Sequence, residues 1–563
     1  MLQVTHYPLP ITHYQLPITN YPLPITNYQL MQILIKLFSK LIYPINHKFV
    51  KALSNPKFAQ QKVKQDIVKN LIKSEYGKSL NINSIDDWER IPIVEYDDIK
   101  EWIIKQQQTQ KYLLTNEPVI FYEKTSGSRG AAKFIPYTKS LRRSFNQMFC
   151  IWAYDLIING PRFSTGKIYF CISPNLTTKT NSSGENRAKI GLEDDSEYLD
   201  NWLRWLLSPF LVSVPGIKNI QSADEFKHKL ALALLATENL EIISVWSPTF
   251  LKVILDYIQT HRQQLCADLK NKISPQRHSI LLSQKTDNKP EQIPWNLLWK
   301  QLKLISCWDS VNAADGAEFL RSLFPGVLVQ GKGLLATEAP MTIPLIPARG
   351  YVPVLNEVFF EFEDENNHIF QLHQLKQGNT YEIIISQKGG LYRYRIGDRI
   401  RVTHFYQSTP CLEFLGRTQE ISDLVGEKLN SQFVRETLES LPLESASFKS
   451  LVPVKEPQEH YILLLDKLEI DANIIDSNTI TTSSAAEIAQ KLDTALQKSP
   501  QYRHARLLGQ LQPVRLIVSS QIPEIIAQFK TQSGTKWGDL KHEILVTTPI
   551  ASKVLEHLMD FHG

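Results

Sequence analysis

Short continuous apolar runs recur through the middle of the chain, each followed by a stretch with helical spacing. Lys167–Ser173, Glu241–Trp246, Leu302–Trp308 and Val327–Val329 are four such runs. A run without polar alternation suits a strand buried on both faces, as in a parallel sheet covered by its crossover helices. Helix signals lie between the runs. Ser222-Ala-Asp-Glu225 reads as a capping box for a helix through Leu235, Ser247-Pro248 opens a second with proline at its first position, and a third runs from about Ala313 to Leu323. This alternation predicts an α/β architecture with a largely parallel sheet. From Val352 the rhythm changes to strands in succession: Glu357–Phe362, Tyr381–Ser386, Leu391–Ile396, Arg399–Phe405 and Cys411–Leu415. Farther on, a strand at Tyr461–Leu465, a helix from about Ala485 to Leu496 and a strand at Val514–Val518 form a mixed segment.

The predicted organisation is a large mixed α/β domain over 31–418, with a β-rich subdomain at about 352–418, and a small α+β domain over 419–563. Arg417–Gly426 is the linker between them. A chain of 563 residues with 43% hydrophobic content is long enough for two or more cores. Residues 1–30 differ from the rest. Thr-His-Tyr-Pro-Leu-Pro-Ile recurs with small changes from Thr5, and its prolines forbid a coiled coil. A tandem seven-base unit ACCCATT read in triplets produces that heptad. The expectation is a disordered translated repeat, with Met31 as the working start and an amphipathic helix following it.

Net charge is +5, from 62 Lys+Arg against 57 Asp+Glu, too mild and too evenly spread for a nucleic-acid partner. Five scattered cysteines without a Cys-x-x-Cys pair suit reduced thiols rather than a zinc site or disulfide framework. No apolar run approaches the roughly 20 residues of a membrane helix. These features predict a cytoplasmic protein.

Chemistry concentrates first at Thr125–Lys133, between the strand candidates Val119–Glu123 and Phe134–Tyr137. Thr125, Ser126 and Ser128 supply hydroxyls, Gly127 and Gly130 free the backbone to turn its N–H groups toward an anion, and Arg129 and Lys133 add positive charge. The spacing is neither a Walker loop nor a nucleophile elbow. On composition alone, a plain Ser/Gly-rich hairpin turn is the lesser alternative. Downstream come Gly333-Leu-Leu-Ala-Thr337-Glu338, then Tyr392-Arg-Tyr-Arg-Ile-Gly397-Asp398, then Phe414-Leu-Gly416-Arg417.

This order resembles the adenylate-forming superfamily of acyl-CoA synthetases, luciferases and adenylation domains. The wording of Val245–Phe250, Gln330–Glu338, Gly390–Asp398 and Gly426–Leu429 is similar to its auxin-responsive-promoter branch, whose plant members are acyl-acid amido synthetases. The likeness runs from about residue 40 to near the end. It implies a ligase using ATP and Mg²⁺ that adenylates a small carboxylic acid and passes the acyl group to an amine, an amino acid above all. Acyl-CoA ligation and a non-catalytic acyl-binding relative are the alternatives.

The resemblance gives the residues roles that their chemistry suits. Thr125, Ser126, Gly127, Ser128 and Gly130 would cradle phosphates, with Thr337 beside them. Glu338 would hold Mg²⁺, a hard cation that takes few protein carboxylates when phosphates fill its other positions. Asp398 would accept both ribose hydroxyls, and Arg417 would add a ribose or phosphate contact. Lys541, preferred over Lys536, would be the lysine that the small domain delivers to the adenylating centre. Its charge would offset the negative charge that develops there.

Other residues carry structural expectations. Arg393 and Arg395 alternate with tyrosines as in any half-buried strand, so they are scaffold or surface; Trp246 and Trp308 are core residues at strand ends, with lining of an acyl pocket as the lesser alternative. Lys428 is as readily a surface lysine as a ligand contact. Two positions depart from the superfamily pattern: Arg129 replaces a loop hydroxyl, and Leu334 replaces an adenine-stacking tyrosine.

Overall fold

A computed structural model describes residues 27–549 and Val554, apart from 110–111, 126–132, 165, 172–200, 215–219, 221, 271, 283–292, 418–420, 471–472, 476–482 and 533–539. The first helix spans Asn27–Leu53, so it starts four residues ahead of Met31, inside the heptad repeat. Residues 1–26 of that repeat lie outside the described part. Helices Pro56–Leu71 and Tyr96–Thr109 follow, and the extended piece ending at Val94 docks alongside Tyr394.

Strands β1 (Val119–Thr125) and β2 (Lys133–Thr138) form an antiparallel hairpin whose last pair is Thr125 with Lys133. The predicted Ser/Gly turn therefore joins two paired strand ends. Ser126, Gly127, Ser128, Arg129 and Gly130 themselves lie outside the described residues. The Thr138 hydroxyl then accepts from the Leu141 N–H at 3.3 Å and caps the helix Lys139–Asn159. One face of that helix buries Leu141, Phe145, Met148 and Ile151.

The predicted parallel sheet is present. β3 (Lys167–Phe170), β4 (Leu240–Ser244), β5 (Leu304–Cys307) and β6 (Leu328–Gly331) lie side by side in that order. β4 and β5 are buried along their whole length, which is why their sequences show no alternation. The Ser222 hydroxyl caps the helix Ala223–Ala236, and Pro248 opens the helix Pro248–Thr260.

Two residues, Thr337 and Glu338, join β7 (Leu335–Ala336) to β8 (Ala339–Pro340) in a tight hairpin. β9 (Thr342–Leu345) pairs with β10 (Gly350–Pro353). The β-rich part is a five-stranded antiparallel sheet of β11 (Phe359–Glu363), β12 (Ile369–Gln371), β13 (Thr380–Ser386), β14 (Tyr394–Tyr406) and β15 (Thr409–Arg417), ordered β12-β11-β13-β14-β15. Two of the expected strands, Leu391–Ile396 and Arg399–Phe405, are replaced by the single strand β14. Gly397, at φ +83°, absorbs the irregularity between them as a bulge instead of a turn.

The C-terminal part pairs Lys449–Val454 antiparallel with His460–Leu465, which in turn runs parallel to Arg515–Val518. Helices Ser431–Glu439 and Ser483–Leu496 pack against this sheet. It closes on the large domain at Val311–Asp315 and also elsewhere, with Lys227 paired to Glu524 and with Ala527 and Leu540 packed into the core around β4 and β5. Arg435 donates to the Val311 carbonyl (2.7 Å) and to Asn312 Oδ1 (2.6 Å), and Lys449 meets Asp315 at 3.2 Å. The two ring nitrogens of His542 lie against the carbonyls of Asn312 (2.5 Å) and Lys449 (2.8 Å).

Candidate active site

Three folding accidents of the sequence converge on one cleft. The two-residue turn of β7–β8 leaves Glu338 no choice of direction, and it is buried at 7% exposure. Its neighbour Thr337 is held by the Tyr137 hydroxyl, which donates to the Thr337 carbonyl at 2.7 Å. The bulge in β14 sets Asp398 just past Gly397, outside the regular ladder with β13. A second irregularity in β15, at Gly416 with φ +116°, comes just before Arg417. Asp398 and Arg417 then face each other across the β14–β15 register, and Arg417 Nε donates to Asp398 Oδ1 at 3.1 Å.

These residues surround a cavity of about 1330 Å³, which runs from the β1–β2 hairpin across the carboxyl ends of β4, β5 and β6 to residues 541–547. Thr337, Glu338, Asp398, Arg417 and Lys541 all line it, as does Lys133 at the end of the β1–β2 hairpin. Open α/β sheets bind ligands beyond the carboxyl ends of their strands, and this cleft occupies that place. Thr125 ends β1 opposite Lys133, which lines the cleft. Lys541 is exposed, with its ammonium 5.3 Å from the Trp308 ring centre.

Burial pushes the Glu338 carboxyl above the ordinary carboxylate range. The positive charge of Arg417 opposes that push most, the Asp398 charge adds to it, and Lys133 opposes it. Those influences place the four groups within one electrostatic neighbourhood. Among the described residues Glu338 forms no ion pair within 4.0 Å, so its charge faces the cleft rather than a protein cation. A buried carboxylate in that setting suits a bound cation.

Several expectations change here. Trp246 and Trp308 are not plain core: their rings, 5.7 Å apart, form part of the cleft wall. Arg393 is buried scaffold, with Nε donating to Glu361 at 3.0 Å, while Arg395 reaches the cleft wall paired to Glu363. Lys428 is exposed and stands off the cleft. Leu334 is buried on the cleft, an apolar surface where the superfamily pattern has tyrosine. Lys536 lies outside the described residues. Lys332 was missed by the sequence reading. Its only local signal is a lysine held between Gly331 and Gly333 at the end of a buried strand.

Family models cover most of the chain. The GH3 family N-terminal domain matches residues 45–329, the GH3 family central domain 351–417 and the GH3 family C-terminal domain 430–550. An indole-3-acetic acid-amido synthetase, GH3.4 of Arabidopsis thaliana, is 23% identical over 92% of this chain and 94% of its own length. The 4-substituted benzoates-glutamate ligase GH3.12 of the same plant is 22% identical over 76% of this chain and 82% of its own. The solved structure of the AtGH3.15 acyl acid amido synthetase in complex with 2,4-DB superposes with a TM-score of 0.73 at 18% identity, covering 94% of this chain and 96% of that one.

Proposed function

Because the chain belongs to the GH3 family, we propose that it is an ATP-dependent ligase that adenylates a carboxylic acid and transfers the acyl group to an amino acid, forming an amide. One observation carries the residue assignment: Glu338, Asp398, Arg417 and Lys541, from separate parts of the chain, line a single cleft.

A carboxylate oxygen attacks the α-phosphorus of ATP, the bond to the bridging oxygen breaks, and pyrophosphate leaves. The amine nitrogen then attacks the acyl carbon, AMP leaves with the bonding pair, and the ammonium proton passes to solvent. Asp398 holds the ribose hydroxyls, and Arg417 orients Asp398 through their 3.1 Å bond. Thr125–Gly130 cradle the outer phosphates. Glu338 is the carboxylate that would hold Mg²⁺, which when bound offsets phosphate charge. Among the described residues no cluster of three or more His, Cys, Asp or Glu side chains could hold a metal without such phosphates. Lys541 supports the charge on the reacting oxygens. The acid is aromatic or apolar, since Phe149, Trp152, Trp246 and Trp308 line the cleft. Among the described residues no helix is long and apolar enough to cross a membrane. The reaction is assigned to the cytoplasm on composition and the reduced state expected of five buried free cysteines.

Pyrophosphate exchange with a panel of aromatic carboxylic acids tests the first half of this reading. Product mass after adding mixed amino acids, or coenzyme A, tests the second. An amide mass is expected; a thioester, or exchange with no acid, would overturn the reading. Asp398→Ala is expected to raise the KM for ATP about 10- to 100-fold, the size of one charge-assisted contact. Lys541→Ala is expected to slow exchange by about 10²–10³ with nucleotide affinity unchanged, since it acts on developing charge. Equal losses of affinity and rate in Lys541→Ala would make it a binding residue.

A further inference from the structure

Where the parallel sheet ends, polar side chains stand within the aromatic wall of the cleft. Ser244 closes β4, Ser306 lies near the end of β5 and Lys332 follows β6, so adjacent strands bring the three together. The Lys332 ammonium donates to Ser244 Oγ at 2.8 Å and to Ser306 Oγ at 3.2 Å. It also lies 5.1 Å from the Trp246 ring centre and 5.8 Å from that of Trp152. Ser247, next after Trp246, sits at the N-terminus of the 13-residue helix Pro248–Thr260. That serine is 1% exposed and lines the cleft, and among the described residues its hydroxyl has no hydrogen-bond partner. Buried hydroxyls are almost always satisfied, so an unsatisfied one on a ligand cleft marks a place left for a ligand atom.

The ammonium, the helix N-terminus and the vacant serine donor all favour the same partner, an anionic oxygen. The Lys332 cation is pinned by serines from two strands, so it is directed before any ligand arrives.

We propose that Lys332, with Ser244, Ser306 and Ser247, forms a receptor for a carboxylate other than the one that is adenylated. Two reactants can supply that group: a second carboxylate on the acid, or the α-carboxylate of the amino acid. This proposal rests on the ligase reading, and the experiment separates the two.

Exchange is measured with benzene-1,4-dicarboxylate and with 4-methylbenzoate, which match in shape and differ in the second charge. Amide formation is then measured against amino-acid concentration. Lys332→Met is expected to raise the KM for the dicarboxylate about 10- to 100-fold while changing that for 4-methylbenzoate less than about threefold. That result identifies the acid as the source. A KM rise of the same size confined to the amino acid identifies the amine. Lys332→Arg keeps the charge and is expected to recover most of the loss. Ser247→Ala deletes a hydroxyl that bonds nothing else among the described residues, so it leaves the fold intact and is expected to shift the same KM about threefold to tenfold. Equal effects on both acids with none on the amino acid, or no effect on any KM in either variant, would overturn the receptor.

If the wild-type chain exchanges pyrophosphate with neither acid, the ligase reading fails for this class of acid. The receptor is still decided by titrating tryptophan fluorescence with the two acids and with mixed amino acids in the absence of ATP. Binding of the dicarboxylate or of amino acid that is lost in Lys332→Met upholds it, and equal binding of both by wild type and variant overturns it.

Discussion

Glu338→Gln is expected to lower acid-dependent pyrophosphate exchange by about 10²–10³ while leaving the protein as stable as before or more so. The two effects have opposite signs for one reason. Burial raises the Glu338 carboxyl above the ordinary carboxylate range, so its charged form is disfavoured in the folded chain. With a folded pKa above the unfolded one, this penalty is absent at pH values below the unfolded pKa. It grows as pH rises above the unfolded pKa and is complete once pH has passed the raised folded pKa. Glutamine removes the penalty together with the charge that the reaction needs. The same shift bears on magnesium. Its apparent affinity should weaken on acidification at a pH where an exposed carboxylate would still be charged, because Glu338 must lose its proton before it meets a cation. Exchange kinetics, thermal unfolding and a magnesium titration at several pH values check these expectations. A large fall in stability would make Glu338 a structural carboxylate, and magnesium affinity that holds down to the ordinary range would remove it from the metal's surroundings.

The largest stability effect is expected at Arg393. Its Nε donates to Glu361 at 3.0 Å, another guanidinium nitrogen donates to the Ile91 carbonyl at 2.9 Å, and both partners of the ion pair are almost fully buried. The Trp88 indole N–H donates to the other Glu361 oxygen at 3.3 Å. Burial raises the Glu361 carboxyl, with Arg393 as the main opposing influence. Arg393→Met strands that carboxylate without its cation and should destabilise the large domain by about 3–5 kcal/mol. Adding Glu361→Leu should recover most of the loss, since a buried ion pair often stabilises little more than apolar groups of like volume. Urea unfolding of the single and double variants measures both. If the single variant unfolds like wild type, the pair carries no stability. Exchange per folded molecule should not change, because Arg393 does not line the cleft.

Much of the fold was legible because its elements carry strong local signals. β4 and β5 lack alternation because they are covered on both faces, and Thr138, Ser222 and Pro248 begin helices where their side-chain chemistry says they should. The β7–β8 hairpin was not anticipated, since two-residue strands have no periodicity to read. Glu338, Asp398 and Arg417 stood out as charges set among glycines and apolar residues. For Trp246 and Trp308 the lesser alternative holds, because a strand-end aromatic has the same sequence whether it faces a core or a cleft. Lys332 stayed hidden for a related reason. Its meaning depends on Ser244 and Ser306, which only sheet register brings beside it.

Val311, Asn312 and Ala313 belong to the cleft wall, yet Arg435 and His542 of the small domain hold onto this same strip of backbone. Val311 has φ +55°, unfavourable for a branched residue, so the strip has little slack with which to accommodate a misfit. Bulk that presses on it from inside the pocket therefore bears on one of the contacts that seat the small domain. Which acids are admitted and how firmly the small domain seats are thus coupled through this strip.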